Sequence, residues 1–206
     1  MLRIRFHEDN PNKRDLQQVA DRLNRGEIVI IPTDSVYALA CLMNNKAGIE
    51  RISKITGKKD KFIRMSLLCP NISAVSEYTS QIPNHIFRDM NKNLPGPYTY
   101  ILNSNKFVQK FFQHGKDQIG IRIPNNTLVQ ELLKLVDVPL IATSLSNYED
   151  EVVRNYTDPD DIDANFQHKV DVFIDCGQGN LEETTVIDCT SGDMELIRPG
   201  KGNWAE

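Results

Sequence analysis

Long apolar runs are absent from this sequence. None reaches about 18 consecutive residues, so the chain is predicted to have no membrane span. The N-terminal segment "MLRIRFHEDN" has no apolar core of the kind that a signal peptide needs, so we expect no secretion signal. The cysteines show no paired spacing of the metal-binding or redox type, and each lies in or beside an apolar run. Buried free thiols in a reducing cytoplasm are the favoured interpretation for Cys41, Cys69, Cys176 and Cys189.

Standard catalytic and cofactor motifs are also missing. There is no phosphate-binding loop G-x-x-x-x-G-K-[ST], no dinucleotide fingerprint G-x-G-x-x-G and no zinc-binding H-E-x-x-H. The nearest glycine cluster, "CGQGN" at 176–180, lacks the third glycine and the following helix, which indicates a turn. The histidines are scattered, and nothing marks a covalent nucleophile with its own base. We therefore predict neither a metal site nor covalent catalysis.

Charge is unevenly distributed along a chain of otherwise ordinary composition. The 206 residues are 40% apolar and 25% charged, which is typical of a soluble globular domain. The net charge of −4 argues against a nucleic-acid coat protein. Residues 46–64 nevertheless contain seven basic residues and two acids, whereas residues 147–163 contain seven acids and one arginine. The basic segment permits an anionic ligand.

Helical and strand-like patterns alternate along the chain. The predicted helices cover 16–23, 49–55, 82–90, 107–112, 126–136 and 158–166, and the predicted strands cover 27–31, 65–69, 98–102, 119–124, 139–144, 170–175, 185–189 and 196–198. Neither a long linker nor a repeat interrupts them. The pattern predicts one α/β domain over residues 1–206, with a twisted mixed sheet. Glycine turns between the late strands predict that those strands are antiparallel.

Hydroxyl and basic side chains stand at the ends of several predicted strands. "IPTDSVY" (31–37) follows the first strand, "IGIRIP" (119–124) places Arg122 between two isoleucines, and "IATSLS" (141–146) ends in hydroxyls. Each segment alone also fits an ordinary capped loop or turn. In open α/β sheets ligands bind where polar loops leave the strand ends, so together these segments predict a pocket. A buried arginine needs an anion, which favours a carboxylate or a phosphate at Arg122.

Seven short motifs in a fixed order make the sequence resemble the YrdC/YciO family, whose best-known members are threonylcarbamoyl-adenylate synthases. The motifs stand here as "PTDSVYAL", "TGK", "PGPYT", "IRIP", "TSLS", "TTV" and "RPG". The resemblance runs from about residue 15 to residue 200, and its departures are similar to the YciO branch. It implies an α/β domain with a twisted mixed parallel and antiparallel sheet and a deep basic cleft.

The resemblance also implies a reaction and a set of site residues. The synthases condense threonine, bicarbonate and ATP into threonylcarbamoyl-AMP and pyrophosphate, and the carbamoyl group then reaches an adenosine of tRNA. Carried over by motif, the residues that would hold threonine are Thr33, Arg122 and Thr184, and those that would hold the nucleotide are Lys58, Thr99, Ser144 and Arg198. Lys58 is also the expected catalytic cation, which balances phosphate charge together with Mg²⁺ on ATP.

Several positions depart from the synthase pattern. Thr56 replaces the first lysine of K-x-R, and Lys58 replaces its arginine. Cys69 stands where synthases often carry histidine, and Ser146 replaces the asparagine of T-S-A-N. This chain therefore has one cation where the K-x-R motif of the synthases has two. A later basic residue of the segment could compensate: Lys59, Lys61 or Arg64.

Two functions stay open from the sequence. One is a synthase-like enzyme of the nucleotidyltransferase type that binds ATP, threonine and bicarbonate. The other is an RNA-binding protein of the same fold, for tRNA or double-stranded RNA, without synthase activity. The net charge and the lack of an aromatic stacking platform argue against the second. Apart from these two functions, a third hypothesis is that the same site takes a different ligand, such as a carbamoyl adenylate that is hydrolysed.

Overall fold

Ten strands form one mixed sheet in the computed structural model, which describes residues 1–7, 9–56, 65–111, 117–147 and 154–205. The sheet strands are β1 (Leu2–Arg5), β2 (Val29–Ile31), β3 (Ala38–Leu42), β4 (Ser66–Leu68), β5 (Tyr98–Asn103), β6 (Gln118–Arg122), β7 (Leu140–Ser144), β10 (Val172–Asp175), β11 (Thr185–Asp188) and β12 (Glu195–Arg198). A separate pair is formed by β8 (Ser146–Asn147) and β9 (Arg154–Asn155). The helices are α1 (Lys13–Asn24), α2 (Lys46–Ile55), α3 (Ile72–Val75), α4 (Asn84–Asn93), α5 (Lys106–Gln109), α6 (Thr127–Leu133) and α7 (Pro159–Phe166).

The strand order across the sheet is β1-β10-β2-β3-β7-β4-β6-β5-β11-β12. Four neighbouring pairs are parallel, namely β1 with β10, β10 with β2, β4 with β6, and β5 with β11. The other neighbours are antiparallel. The predicted α/β domain with a mixed parallel and antiparallel sheet is therefore confirmed.

Apolar cores lie on both sides of the sheet. Successive side chains of a strand point to opposite sides, so Val29 and Ile31 pack with the apolar residues of α1 and α6, whereas Ile30 packs with those of α2, α4 and α7. We call these the α1 side and the α2 side. This double burial explains why β2 is a continuous apolar run.

The α1 side of the sheet has an apolar half and a polar half. Strands β10, β2, β3 and β7 form the apolar half, with buried side chains such as Ile31, Ala40 and Ala142. Strands β6, β5 and β11 form the polar half, and none of the described apolar residues in the α1-side core lies on them. Because Ile121 packs in the α2-side core, its neighbour Arg122 points to the α1 side.

Asparagine and aspartate side chains begin most of the helices. Asn12, Asn45, Asn71, Asn105, Asn126 and Asp158 each accept a hydrogen bond from a backbone N–H of the first turn. Asp158 caps α7, and Pro159 follows it at the first helical position, where a proline costs no hydrogen bond. Pro83 is the N-cap of α4 and makes no side-chain capping bond.

Within the ten-stranded sheet, two strands and one pairing differ from the predictions. Neither β1 nor β3 was predicted, because β1 is a short terminal strand and β3 comes directly after a polar turn. The strand at 170–175 was expected to be antiparallel to the later strands. It is instead β10, which lies parallel to β1 and β2. Of the three late strands, only β11 and β12 pair with each other, and that pair is antiparallel. Helix α7 precedes β10, and a helical connection permits a parallel return to the sheet.

None of the four cysteines, all of which the structure describes, forms a disulfide. Cys41, Cys69 and Cys189 are buried, as predicted, whereas Cys176 is only partly buried at the end of β10. Burial raises the pKa of Cys41 and of Cys69 to about 12. Both therefore stay protonated at neutral pH and serve as small apolar side chains.

Candidate functional site

Arg122 is the centre of a buried polar cluster. Its side chain is 8% exposed, and its Nη2 donates to Asp34 Oδ1 at 2.9 Å, to Ser35 Oγ at 3.0 Å and to Thr33 Oγ1 at 3.4 Å. The side chain of Asp34 is equally buried, at 8%. We call these four residues the Arg122 cluster. It joins the end of β6 to the turn between β2 and β3.

The β2–β3 turn is held rigid by its own hydroxyl groups. Thr33 Oγ1 donates to the Val36 carbonyl at 2.7 Å and accepts from the Ser35 backbone N–H at 3.1 Å. Asp34 Oδ2 accepts from the backbone N–H of Asn125 at 2.9 Å, so each carboxylate oxygen of Asp34 has a partner on the β6 side. Small hydroxyl residues after an apolar strand therefore fix a turn and aim it at Arg122.

The electrostatics of the cluster involve a second arginine. Burial is the main effect on Arg122 and lowers the pKa of its guanidinium, while the charge and hydrogen bond of Asp34 raise that pKa. Arg198 is near enough to lower the pKa of Arg122, and Glu183 is near enough to raise it. The Nε of Arg122 is buried and has no hydrogen-bond partner among the residues that the structure describes. A donor of this kind is unusual in a folded protein and suits a ligand acceptor.

Thr99 and Thr184 face each other beside the arginines. Their hydroxyl oxygens are 2.8 Å apart and both side chains are buried. Arg198 Nη2 donates to the Thr184 carbonyl at 3.0 Å, and Arg198 Nη1 forms an ion pair with Glu183. The strand register explains this grouping. Thr99 lies near the start of β5, Thr184 directly precedes β11, and Arg198 ends β12.

The loop after β12 packs against the polar half of the α1 side. The Gly200 N–H donates to Thr185 Oγ1 at 3.0 Å, and the Lys201 N–H donates to the Glu183 carbonyl at 2.9 Å. Lys201 Nζ donates to the backbone carbonyl of Asp34 at 2.6 Å. Residues far apart in sequence therefore meet at one place.

The structure brings together five of the seven sequence-predicted site residues: Thr33, Thr99, Arg122, Thr184 and Arg198. Ser144 is partly buried at the end of β7, on the α1 side, and makes no hydrogen bond within the described part of the chain. Lys58 lies outside the described residues, as do Lys59, Lys61 and Arg64. The predicted basic cleft includes that segment and stays a prediction.

The positions that depart from the synthase pattern have structural roles of their own. The Thr56 hydroxyl donates to the Ile52 carbonyl at 3.0 Å, so it caps α2. Cys69 is a buried thiol whose backbone N–H donates to the Arg122 carbonyl at 2.9 Å. Ser146 Oγ is 2.6 Å from Asn155 Oδ1, across the β8–β9 pair.

Some members of the site were not assigned from sequence. Asp34 and Ser35 were noted as polar, but their contact with Arg122 was not predicted. Glu183 and Lys201 were missed entirely. The available signal was position, since Glu183 precedes the "TTV" motif and Lys201 follows the "RPG" motif.

Among the described residues there is no group of three or more His, Cys, Asp or Glu side chains arranged to hold a metal ion. None of the described helices is long and apolar enough to cross a membrane.

Known proteins are similar to this chain over nearly its full length. The "Uncharacterized protein YciO" of Escherichia coli K12 is 35% identical over 199 residues, which are 96% of this chain and 95% of that protein. The crystal structure of E. coli YciO has a TM-score of 0.90 at 34% identity and covers 98% of both chains.

More distant similarities lead to synthases. The human protein named threonylcarbamoyl-AMP synthase is 26% identical over 194 residues, which cover 90% of this chain and 67% of that protein. Pyrococcus abyssi Sua5 in complex with L-threonine shares the fold, with a TM-score of 0.87 at 23% identity, over 97% of this chain and 58% of that one. The family model of Sua5, YciO and YrdC proteins, described as "Telomere recombination", matches residues 21–200. The predicted family is therefore confirmed, and the chain belongs to the Sua5/YciO/YrdC family.

Proposed function

We propose that this protein condenses threonine, bicarbonate and MgATP into threonylcarbamoyl-AMP and pyrophosphate. The observation that carries the proposal is the state of Arg122, a buried guanidinium whose Nε has no partner in the described part of the chain and whose Nη2 is fixed to the β2–β3 turn. A relative named threonylcarbamoyl-AMP synthase, and the Sua5 crystal structure that contains L-threonine, support the choice of substrate.

Arg122 is suited to bind the carboxylate of an amino acid. A charged donor that is buried without an acceptor costs about 1–3 kcal/mol or more, and a ligand oxygen at Nε would recover that cost. The carboxylate of Asp34 already occupies Nη2, so the substrate carboxylate would approach from the Nε side. Thr33 lies within hydrogen-bond distance of the same guanidinium and would contact the amino acid beside it.

The two predicted subsites share a border. Thr184 is a predicted threonine-binding residue and Thr99 is a predicted nucleotide-binding residue, and their hydroxyl oxygens are 2.8 Å apart. A condensation requires the two reactants to be held in contact, and adjacent subsites provide this proximity. Arg198, which is bonded to the Thr184 backbone carbonyl, would place positive charge next to the phosphates.

The proposed chemistry needs no protein nucleophile. The threonine amine and bicarbonate form a carbamate with loss of water. A carbamate oxygen then attacks the α-phosphorus of ATP, the bond from that phosphorus to the bridging oxygen breaks, and pyrophosphate leaves. Mg²⁺ would arrive on the phosphates as part of the substrate. The protein's share is to orient the reactants and balance the phosphate charge, for which Ser144 and Lys58 are further predicted residues.

The test is pyrophosphate release from MgATP, with threonine and bicarbonate each omitted in turn. The proposal expects release only when both are present. Release without threonine would indicate ATP hydrolysis and contradict the proposal, and so would the absence of release under all conditions. Mass spectrometry of the product separates synthesis of a carbamoyl adenylate from its hydrolysis. Lys58→Ala tests the predicted catalytic cation.

Thr184→Val is a sharper variant, because it replaces the hydroxyl by a methyl group of similar size. We expect it to raise the KM for threonine about tenfold through loss of a hydrogen bond. Thr190→Val is the matched control. The Thr190 hydroxyl donates to Asp188 Oδ1 at the other end of β11, so its loss should leave the KM unchanged.

The described part of the chain gives little support for RNA binding. Most of the basic segment that motivated it lies outside the described residues, and Arg51 within it is paired with Asp171 at 2.6 Å. Salt-dependent retention of tRNA would favour this function.

A further inference from the structure

We infer that Lys201 is a phosphate-binding residue of the site and supplies positive charge that the sequence lacks at position 56. This inference deepens the proposed function and rests on it for the identity of the ligand. It concerns a lysine outside the seven motifs that carry the resemblance.

The ammonium group of Lys201 lies at the Arg122 cluster and has no counter-ion there. Within the described part of the chain its one hydrogen bond goes to the backbone carbonyl of Asp34 at 2.6 Å, and none of the described carboxylates is within ion-pair distance of it. A lysine ammonium has three N–H donors, so two stay available. The residue is exposed, so a ligand can reach these donors.

Counted over the residues that the structure describes, the charges at the site leave an excess of one cation. Arg122 is paired with Asp34, and Arg198 is paired with Glu183. Lys201 is the additional positive charge, joined to Asp34 through the backbone rather than through the carboxylate. An anion that enters beside the two arginines would therefore find its unneutralised partner in Lys201.

The loop that carries Lys201 is fixed by close packing. A Cβ atom at Gly200 would lie 2.5 Å from the Glu183 carbonyl oxygen, and one at Gly202 would lie 2.5 Å from the Tyr98 ring. The Thr185 hydroxyl donates to the Gly202 carbonyl at 2.5 Å, which ties the loop to β11 from the other side of Lys201. Lys201 is thus presented from a defined backbone position, as a binding residue must be.

The residue at position 56 cannot take this role. Thr56 has no charge, and its hydroxyl is used by the Ile52 carbonyl in the last turn of α2. The resemblance implies a lysine at that position in the synthases. A cation delivered from the opposite end of the chain would restore the charge that phosphates need.

The experiment measures binding of inorganic pyrophosphate with Mg²⁺ by calorimetry, for the full chain and three variants. Loss of one charged contact predicts that Lys201→Met weakens binding about tenfold. Lys201→Arg keeps the charge and should bind within about threefold of the wild type. Lys106→Met is the matched control, because Lys106 lies beyond the far end of β5. This variant should bind pyrophosphate with the affinity of the wild type. The difference between Lys201→Met and the wild type should shrink at high salt.

The outcomes separate this inference from the proposed function. If Lys201→Met binds pyrophosphate like the wild type, or if the wild type binds none, the inference is wrong. If Lys201→Met is weakened while Lys201→Arg is not, the inference holds even when the wild type shows no threonine-dependent pyrophosphate release. Thermal melting of each variant, expected to be unchanged because Lys201 is exposed, excludes a folding defect as the cause.

Discussion

The apolar and polar halves of the α1 side bury their side chains to a similar degree by different means. In the apolar half, Ile31 and Ala142 are 0% and 4% exposed under the side chains of α1 and α6. In the polar half, Thr99 and Arg122 are each 7% exposed, under a turn and a loop that hydrogen-bond to them or their neighbours. Within one sheet, the same strand geometry therefore supports a core on one half and the buried polar groups of the candidate site on the other.

The energetic difference between the halves explains why the site needs the core. Burying an aliphatic side chain contributes about 1.5–3 kcal/mol to folding. A buried ion pair such as Arg122 with Asp34 contributes about nothing net, because desolvation offsets the attraction between the charges. The polar half is therefore held in place by packing elsewhere, and under the proposed function its charges serve to bind the substrates.

Of the variants that test the difference between the two halves, Arg122→Met is expected to have the largest effect. It leaves the carboxylate of Asp34 buried without a cation, and we expect a loss of about 3–5 kcal/mol in the free energy of unfolding. Threonine binding should be abolished. Urea unfolding and calorimetry measure the two effects.

The control for that variant removes both charges. In Asp34→Asn/Arg122→Met most of the lost stability should return, because no uncompensated charge is buried. Threonine binding should stay absent. If Arg122→Met alone is as stable as the wild type, the ion pair of Arg122 with Asp34 is not desolvated.

In the apolar half, Leu132→Ala should cost about 2–5 kcal/mol, since Leu132 is fully buried between α6 and the sheet. The melting temperature should fall, but pyrophosphate release at a temperature where the variant is folded should be unchanged. Activity assayed well below the melting point checks this. A specific loss of activity would mean that the two halves are coupled.

The smallest expected effect is that of Gly120→Ala, in the floor of the polar half. An added Cβ would lie 2.5 Å from Ser66 Oγ and 3.2 Å from Thr99 Cγ2, so the strands must shift slightly. We expect a loss of about 1–3 kcal/mol from overpacking. Adding Ser66→Ala removes the nearer atom and should restore part of the loss, as measured by urea unfolding. No recovery would place the clash at Thr99 instead.

Most elements of the fold follow from local sequence pattern. Apolar spacing indicates the positions of α1, α2, α4 and α6, and apolar runs indicate β2, β5, β6 and β7, with boundaries that differ by a few residues. The pattern does not reveal β3, because its apolar run follows polar residues that resemble a loop. It does not reveal the partners of β10, because sheet pairing depends on contacts between segments far apart in sequence.

The site could be predicted as a set of residues but not as a geometry. By strand register, Arg122 aligns with Leu68 of β4, which in turn aligns with Leu140 at the start of β7. The β2–β3 turn leads into Ala38, which aligns with Ser144 at the end of β7. The register alone would put Arg122 and the turn at opposite ends of the sheet. Their 2.9 Å contact depends on how the sheet twists and how the turn folds back over it.

The sequence by itself determined the class of fold, the family and the polar residues that follow the apolar strands, because these depend on side-chain type and order along the chain. Only the tertiary structure decided that Asp34 pairs with Arg122, that Glu183 pairs with Arg198 and that Lys201 reaches the same place. The reason is physical. Hydrogen bonds and ion pairs act over a few ångströms, and which groups come within that distance is set by the packing of the whole sheet.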